Sequence, residues 1–99
     1  DDLGLTALDL ASENGHEKVV QVLLDRGART EAVDKNGKTA LIYAAWYGHE
    51  KVVQVLHDRD ARIEAVDKDG KTALILASLN EHENVVRFST AARESRPAR

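Results

Sequence analysis

Apolar residues recur along the chain at helical spacing, in short bursts separated by polar turns. Leu41, Ala44 and Ala45 follow Thr39 at the i, i+3, i+4 spacing of one buried helix face. Thr39 stands where an N-cap would satisfy the first unpaired amides. Gly48 ends that helix, as Gly15 does earlier in the chain, because glycine enters the left-handed conformation without a Cβ penalty. Val52, Val53, Val55 and Leu56 then predict a second amphipathic helix ending near Asp58 and Arg59. The stretches AVDKNGKT and AVDKDGKT carry Asp, Asn and Gly in tight-turn order and predict a protruding β-hairpin. Ala40, Ala44 and Ala45 are short enough to let helix pairs approach closely.

This pattern has a fixed period. Shifted by 33 positions, residues 4–36 lie over residues 37–69 with 23 of 33 identical, and residues 70–88 continue the frame with 11 of 19 identical. Such a period marks a solenoid, in which each unit buries its apolar face against its neighbours. The expected fold is an all-α solenoid of stacked helix-turn-helix units with protruding β-hairpin turns. One domain over residues 1–99 is divided into units at 1–33, 34–66 and 67–90, the last degenerate. Residues 91–99, polar and basic with Pro97, are expected to fray.

The unit resembles an ankyrin repeat. Gly4, Thr6, Leu8, Ala11, Gly15, His16, Val19, Val20, Leu23, Leu24, Gly27 and Ala28 follow that family's pattern, and the resemblance runs over about residues 1–88. It implies binding of partner proteins through a concave surface of hairpins and first helices. The chain departs from the pattern where the family usually has Pro and His: Ala7 and Asp9, Ala40 and Ile42, Ala73 and Ile75 stand there. Asp60 replaces the counterpart of Gly27 and Glu81 that of Gly48. Left-handed backbone at either costs about 1 kcal/mol, less for Asp.

Composition narrows the function classes. The 99 residues are 42% hydrophobic and 31% charged with a net charge of −3, a balance that argues against a dedicated binder of nucleic acid or anionic membrane. There is no cysteine, hence no disulfide and no thiolate zinc site, and an intracellular, cytoplasmic setting is expected. No apolar run approaches the roughly 18 residues of a membrane span. The first unit, with Leu3, Leu5, Leu8, Leu10 and Val22, lacks the polar outer face of a terminal unit, so the array is expected to continue ahead of Asp1. Ser89 and Thr90 replace the counterparts of Leu23 and Leu24, either as a polar cap or as decay into the tail.

Catalytic chemistry is not expected. His16, His49 and His82 recur with the period, and neighbouring helices about 8–10 Å apart cannot bring them to one metal ion with bonds of about 2 Å. A ring nitrogen bonding the loop between the two helices is the expected role. His57, beside Asp58, reads as a solvated histidine near the negative end of its helix. Glu17, Glu31, Glu50, Glu64 and Glu83 occupy repeated surface positions rather than a unique acid–base pair. No phosphate loop, nucleophile elbow, zinc-protease or calcium-loop motif occurs, and no cofactor is expected.

Positions that vary between units are read as released from scaffold duty. They are Leu5, Lys38 and Lys71; Asp9, Ile42 and Ile75; Leu10, Tyr43 and Leu76; Glu13, Trp46 and Leu79; Asn14, Tyr47 and Asn80. Trp46 stands where Glu13 stands in the first unit, so its indole is expected to meet water and a partner, or else to pack on Tyr43 and Leu79. Lys35, Lys38, Lys68 and Lys71 on the hairpins suit an acidic rim on a partner, or only solubility. The expected partner surface is Glu13, Asn14, Lys35, Lys38, Tyr43, Trp46, Tyr47, Lys68, Lys71, Leu79 and Asn80. The alternative function is a module that stacks end to end with itself as a weak oligomer.

Overall fold

The first helix of each repeat is preceded by a threonine whose hydroxyl closes its first turn. In the computed structural model, which describes residues 5–94, Thr6, Thr39 and Thr72 cap α1 (Ala7–Glu13), α3 (Ala40–Trp46) and α5 (Ala73–Leu79). Their Oγ1 atoms accept from the backbone N–H of Asp9, Ile42 and Ile75 at 3.0, 3.3 and 3.2 Å. The second helices are α2 (Glu17–Asp25), α4 (Glu50–Asp58) and α6 (Glu83–Glu94). First helices stack on first helices and second on second, so the molecule is two parallel columns with an apolar seam between them. Leu8, Leu41, Val20, Val53 and Leu56 fill that seam, and Ala44, Ala45 and Ala77 let the first-helix column close up.

Every first helix ends in the same paired-bond turn. His16, His49 and His82 donate their N–H to the carbonyls of Ala11, Ala44 and Ala77 at 3.0, 2.8 and 2.9 Å, and the preceding residue donates one carbonyl further on. That preceding residue must be left-handed: Gly15 and Gly48 have φ of 73° and 80°, and Glu81 has φ of 61°. Asp60, likewise at φ 73°, ends α4 as Gly27 ends α2, so both departures from glycine adopt the strained conformation expected of them.

Glycine at 15 and 48 also answers a second demand. The ring of His49 lies over Gly15 and donates from Nε2 to the carbonyl of Glu13 at 2.9 Å; His82 lies over Gly48 and donates to the carbonyl of Trp46 at 2.8 Å. A Cβ on Gly15 would sit 2.7 Å from Nδ1 of His49, and one on Gly48 2.6 Å from Nδ1 of His82. The histidine therefore bonds the loop of the preceding repeat rather than its own, a correction to the expected intra-unit role.

Four further expectations change. The turns are tight loops closed by Asp34 N–H to the Lys38 carbonyl and Asp67 N–H to the Lys71 carbonyl, 3.1 and 3.0 Å, and among the described residues only an isolated bridge, Val66 to Thr72, has strand character. The frayed tail does not start at residue 91, because α6 stays helical to Glu94 with Ala92 buried. Arg93 stands where Gly27 and Asp60 turn the chain left-handed, and without such a residue the helix runs on; residues 95–99 lie outside the described residues. Ser89 is fully buried with its Oγ unpartnered in place of the core residue Leu56, so it faces the seam and is not a polar outer cap. His57 is half-buried and meets Phe88 of the next repeat edge-on at 5.5 Å, rather than standing free in solvent.

Aspartates organise the turns. Oδ1 of Asp34 accepts the N–H of Asn36 and of Lys38 at 2.8 and 2.9 Å, and Oδ1 of Asp67 accepts those of Asp69 and Lys71 at 2.9 and 3.0 Å. The other oxygen of each needs a partner from elsewhere. Asp67 receives Lys38 Nζ of the preceding turn at 3.6 Å, whereas Asp34, preceded by Leu5 at that register, receives the hydroxyl of Tyr43 from its own repeat. Burial pushes both carboxyls up, but these donors outweigh it and hold both below the usual carboxylate range. Burial and the Asp34 charge push the Tyr43 phenol up, which keeps it protonated as the donor.

Two outcomes follow for stability. Gly27 has open space where a Cβ would go, so Gly27→Ala adds backbone strain alone, about 1 kcal/mol, while Gly48→Ala also displaces the His82 ring and costs about 1–3 kcal/mol more. Urea denaturation of the two variants measures this; equal losses would count against the histidine seat. Tyr43→Phe strips a buried carboxylate oxygen of its donor and should cost about 1–3 kcal/mol at pH 7. Because a depressed carboxylate pKa stabilises above the unfolded value near 3.9 and loses that effect as pH falls through the folded value, the deficit should shrink below about pH 4. Adding Leu5→Lys should recover part of the loss, and a double variant no better than Tyr43→Phe would refute the shared duty.

Candidate protein-binding surface

The first helices pack on one another more closely than the second helices do, because alanines line their contacts. The second helices make up one side of the stack, and the first helices with the turns make up the other. On that side Trp46 closes the last turn of α3 and Tyr47 caps it, while Leu79 and Asn80 hold the same register on α5. Leu79 is 60% exposed, Tyr47 45% and Trp46 37%. These side chains form an apolar strip across two repeats.

The backbone beneath the strip is fixed. The carbonyl of Trp46 accepts two hydrogen bonds from the third repeat, from His82 Nε2 at 2.8 Å and Asn80 Nδ2 at 3.0 Å. The helix end cannot drift while its indole faces water. In the first repeat Asn14 Nδ2 instead donates to the carbonyl of its own Leu10 at 3.0 Å, and the Glu13 side chain is half-buried. The register is therefore apolar over the second and third repeats and polar over the first. Lys35 and Lys68 are exposed on successive turns, with Lys71 half-buried beside them.

Two of the expected contact residues have scaffold duties. Lys38 is drawn down onto the nearly buried Asp67, and Tyr43 is half-buried with its hydroxyl on Asp34. Neither side chain is at liberty for a partner without breaking a turn. Asp9 and Ile42 are likewise fully buried, although they vary between repeats. Asp9 completes a capping box, its Oδ2 accepting the N–H of Thr6 at 3.1 Å, and burial outweighs those bonds to raise its pKa. Leu76, counterpart of Tyr43, is buried as well.

Val33 and Val66, at the feet of the turns, are each more than half exposed although they are identical in both copies, so variation between units does not mark them. Their signal was their chemistry, an apolar β-branched residue beside a polar turn. Among the described residues no group of three or more His, Asp or Glu side chains could hold a metal ion, and no helix is long and apolar enough to cross a membrane.

A family model described as ankyrin repeats, in three copies, matches residues 1–67 and again residues 31–88. No curated protein matches the chain. Repeats of this kind are in general non-catalytic modules of protein–protein interaction. With six helices in two columns among the described residues, a capped turn at each helix pair and the family match running over residues 1–88, the chain belongs to the ankyrin-repeat family.

Proposed function

We propose that this chain is a non-catalytic binding module that holds a partner protein against its concave side. Trp46, Tyr47 and Leu79 are the apolar anchors, and Lys35, Lys68 and Lys71 with Asn80 are the polar rim. Glu13 and Asn14 extend the rim onto the first repeat. The observation that carries the proposal is the Trp46 turn: a main-chain carbonyl held by two donors from the next repeat beneath an indole left open to water. An anchor already fixed in place loses little freedom on binding, and exposed aromatics set in that way are the side chains that dominate interface energies. Lys38 and Tyr43 act from below, by fixing the turns on which the rim stands.

The partner's matching patch is apolar with an acidic edge, since the exposed turn lysines flank the strip. End-to-end self-association, the alternative, draws support from the apolar ends of the stack, but the Cβ that Glu81 carries where its counterparts are glycine weighs against it.

Selection from a displayed peptide or domain library on the immobilised chain would supply a ligand. Trp46→Ala and Tyr47→Ala should each weaken that ligand by about 30-fold or more, equivalent to about 2 kcal/mol. Lys18→Ala, on the outer face of α2, should leave it unchanged. Unchanged affinity in both aromatic variants would refute the assignment.

A further inference from the structure

Both ends of the stack expose side chains that its interior buries. Val19 is 49% exposed on the N-terminal face, whereas Val52 and Val85 at the same register are 1% and 0% exposed. Ile75 is exposed at the other end, whereas Ile42 is fully buried. Two copies brought end to end would cover both faces. Such a contact joins two different surfaces and does not close on itself, so repetition leads to an open filament rather than a dimer.

The internal junctions define what that contact requires. His49 and His82 each seat an imidazole over a left-handed glycine of the preceding repeat and donate from Nε2 to the carbonyl closing its first helix. In a head-to-tail contact the arriving group is His16, its acceptor is the carbonyl of Leu79, and the residue beneath its ring is Glu81. Glu81 has the backbone shape of its glycine counterparts and keeps the same turn, its N–H donating to Ser78 at 3.1 Å. It differs in carrying a Cβ. At the two internal junctions that atom would stand 2.7 and 2.6 Å from ring Nδ1, closer than non-bonded atoms approach. The ring cannot withdraw, because its Nε2 is tied to the carbonyl beside it.

We propose that Glu81 is a stop for the stack: its Cβ occupies the seat that the histidine of an incoming copy needs, and the chain does not polymerise through its two apolar ends. Position 81 thus limits association, while its counterparts, Gly15 and Gly48, permit it within the chain.

Sedimentation velocity over a concentration series tests this with the whole chain. Wild type and Glu81→Ala, which both carry the Cβ, should remain monomeric, whereas Glu81→Gly should associate at least tenfold more strongly and form open-ended oligomers. Adding Val19→Lys to Glu81→Gly should return it to monomer, because the N-terminal face that arrives with His16 is then charged. The proposal is overturned if wild type or Glu81→Ala associates as strongly as Glu81→Gly, if Glu81→Gly stays monomeric, or if Val19→Lys leaves its association intact.

Discussion

A histidine ring laid on a glycine of the preceding repeat, and bonded to the carbonyl beside it, sets the register of the whole stack. Apolar packing between repeats is non-directional and scales with the area buried. The imidazole bond has one partner and one distance, and it holds each first helix end to the next repeat. From that contact follow the left-handed turns and the close approach of the alanine-lined first helices.

The same contact links scaffold to binding surface. The carbonyl that accepts His82 belongs to Trp46, so the bond that joins the second and third repeats also fixes the helix end that displays the indole. Asn80 adds a second bond to that carbonyl. Stability and presentation of the candidate anchor are in this sense one structural feature. Affinity for a partner is then expected to depend on repeat packing as well as on the side chains a partner touches.

Much of the fold was legible because it is local. Threonine caps, turn glycines and the 33-residue period each act within a few residues or repeat verbatim, and the strain at Asp60 and Glu81 could be read from substitution at known glycine positions. What could not be read was compensation between positions. Variation at Leu5 and Lys38 reads as freedom in the sequence, yet it pairs with variation at Tyr43 and Leu76: where the preceding turn offers a lysine the aspartate takes it, and where it offers leucine a tyrosine serves. Asp9 and Ile42 differ in chemistry and are both buried, one satisfied by a capping box and the other by apolar neighbours. Of the surface, the aromatic strip was legible because Glu13 at the same register signalled water. The valines at the feet of the turns are identical in both copies and exposed, so variation between copies does not point to them. The run-on of α6 was legible in principle from Arg93 in place of a left-handed residue.

The most direct test of the stacking contact is solvent exchange of the imidazole N–H protons by nitrogen-15 NMR. A carbonyl can only accept, so the ring nitrogen facing it carries the proton, and His49 and His82 should both show a protonated Nε2 with slow exchange. His16, whose side chain is exposed, should exchange too fast to observe. Equal and fast exchange at all three rings would contradict the account, because the histidines would then not be seated on the preceding repeat.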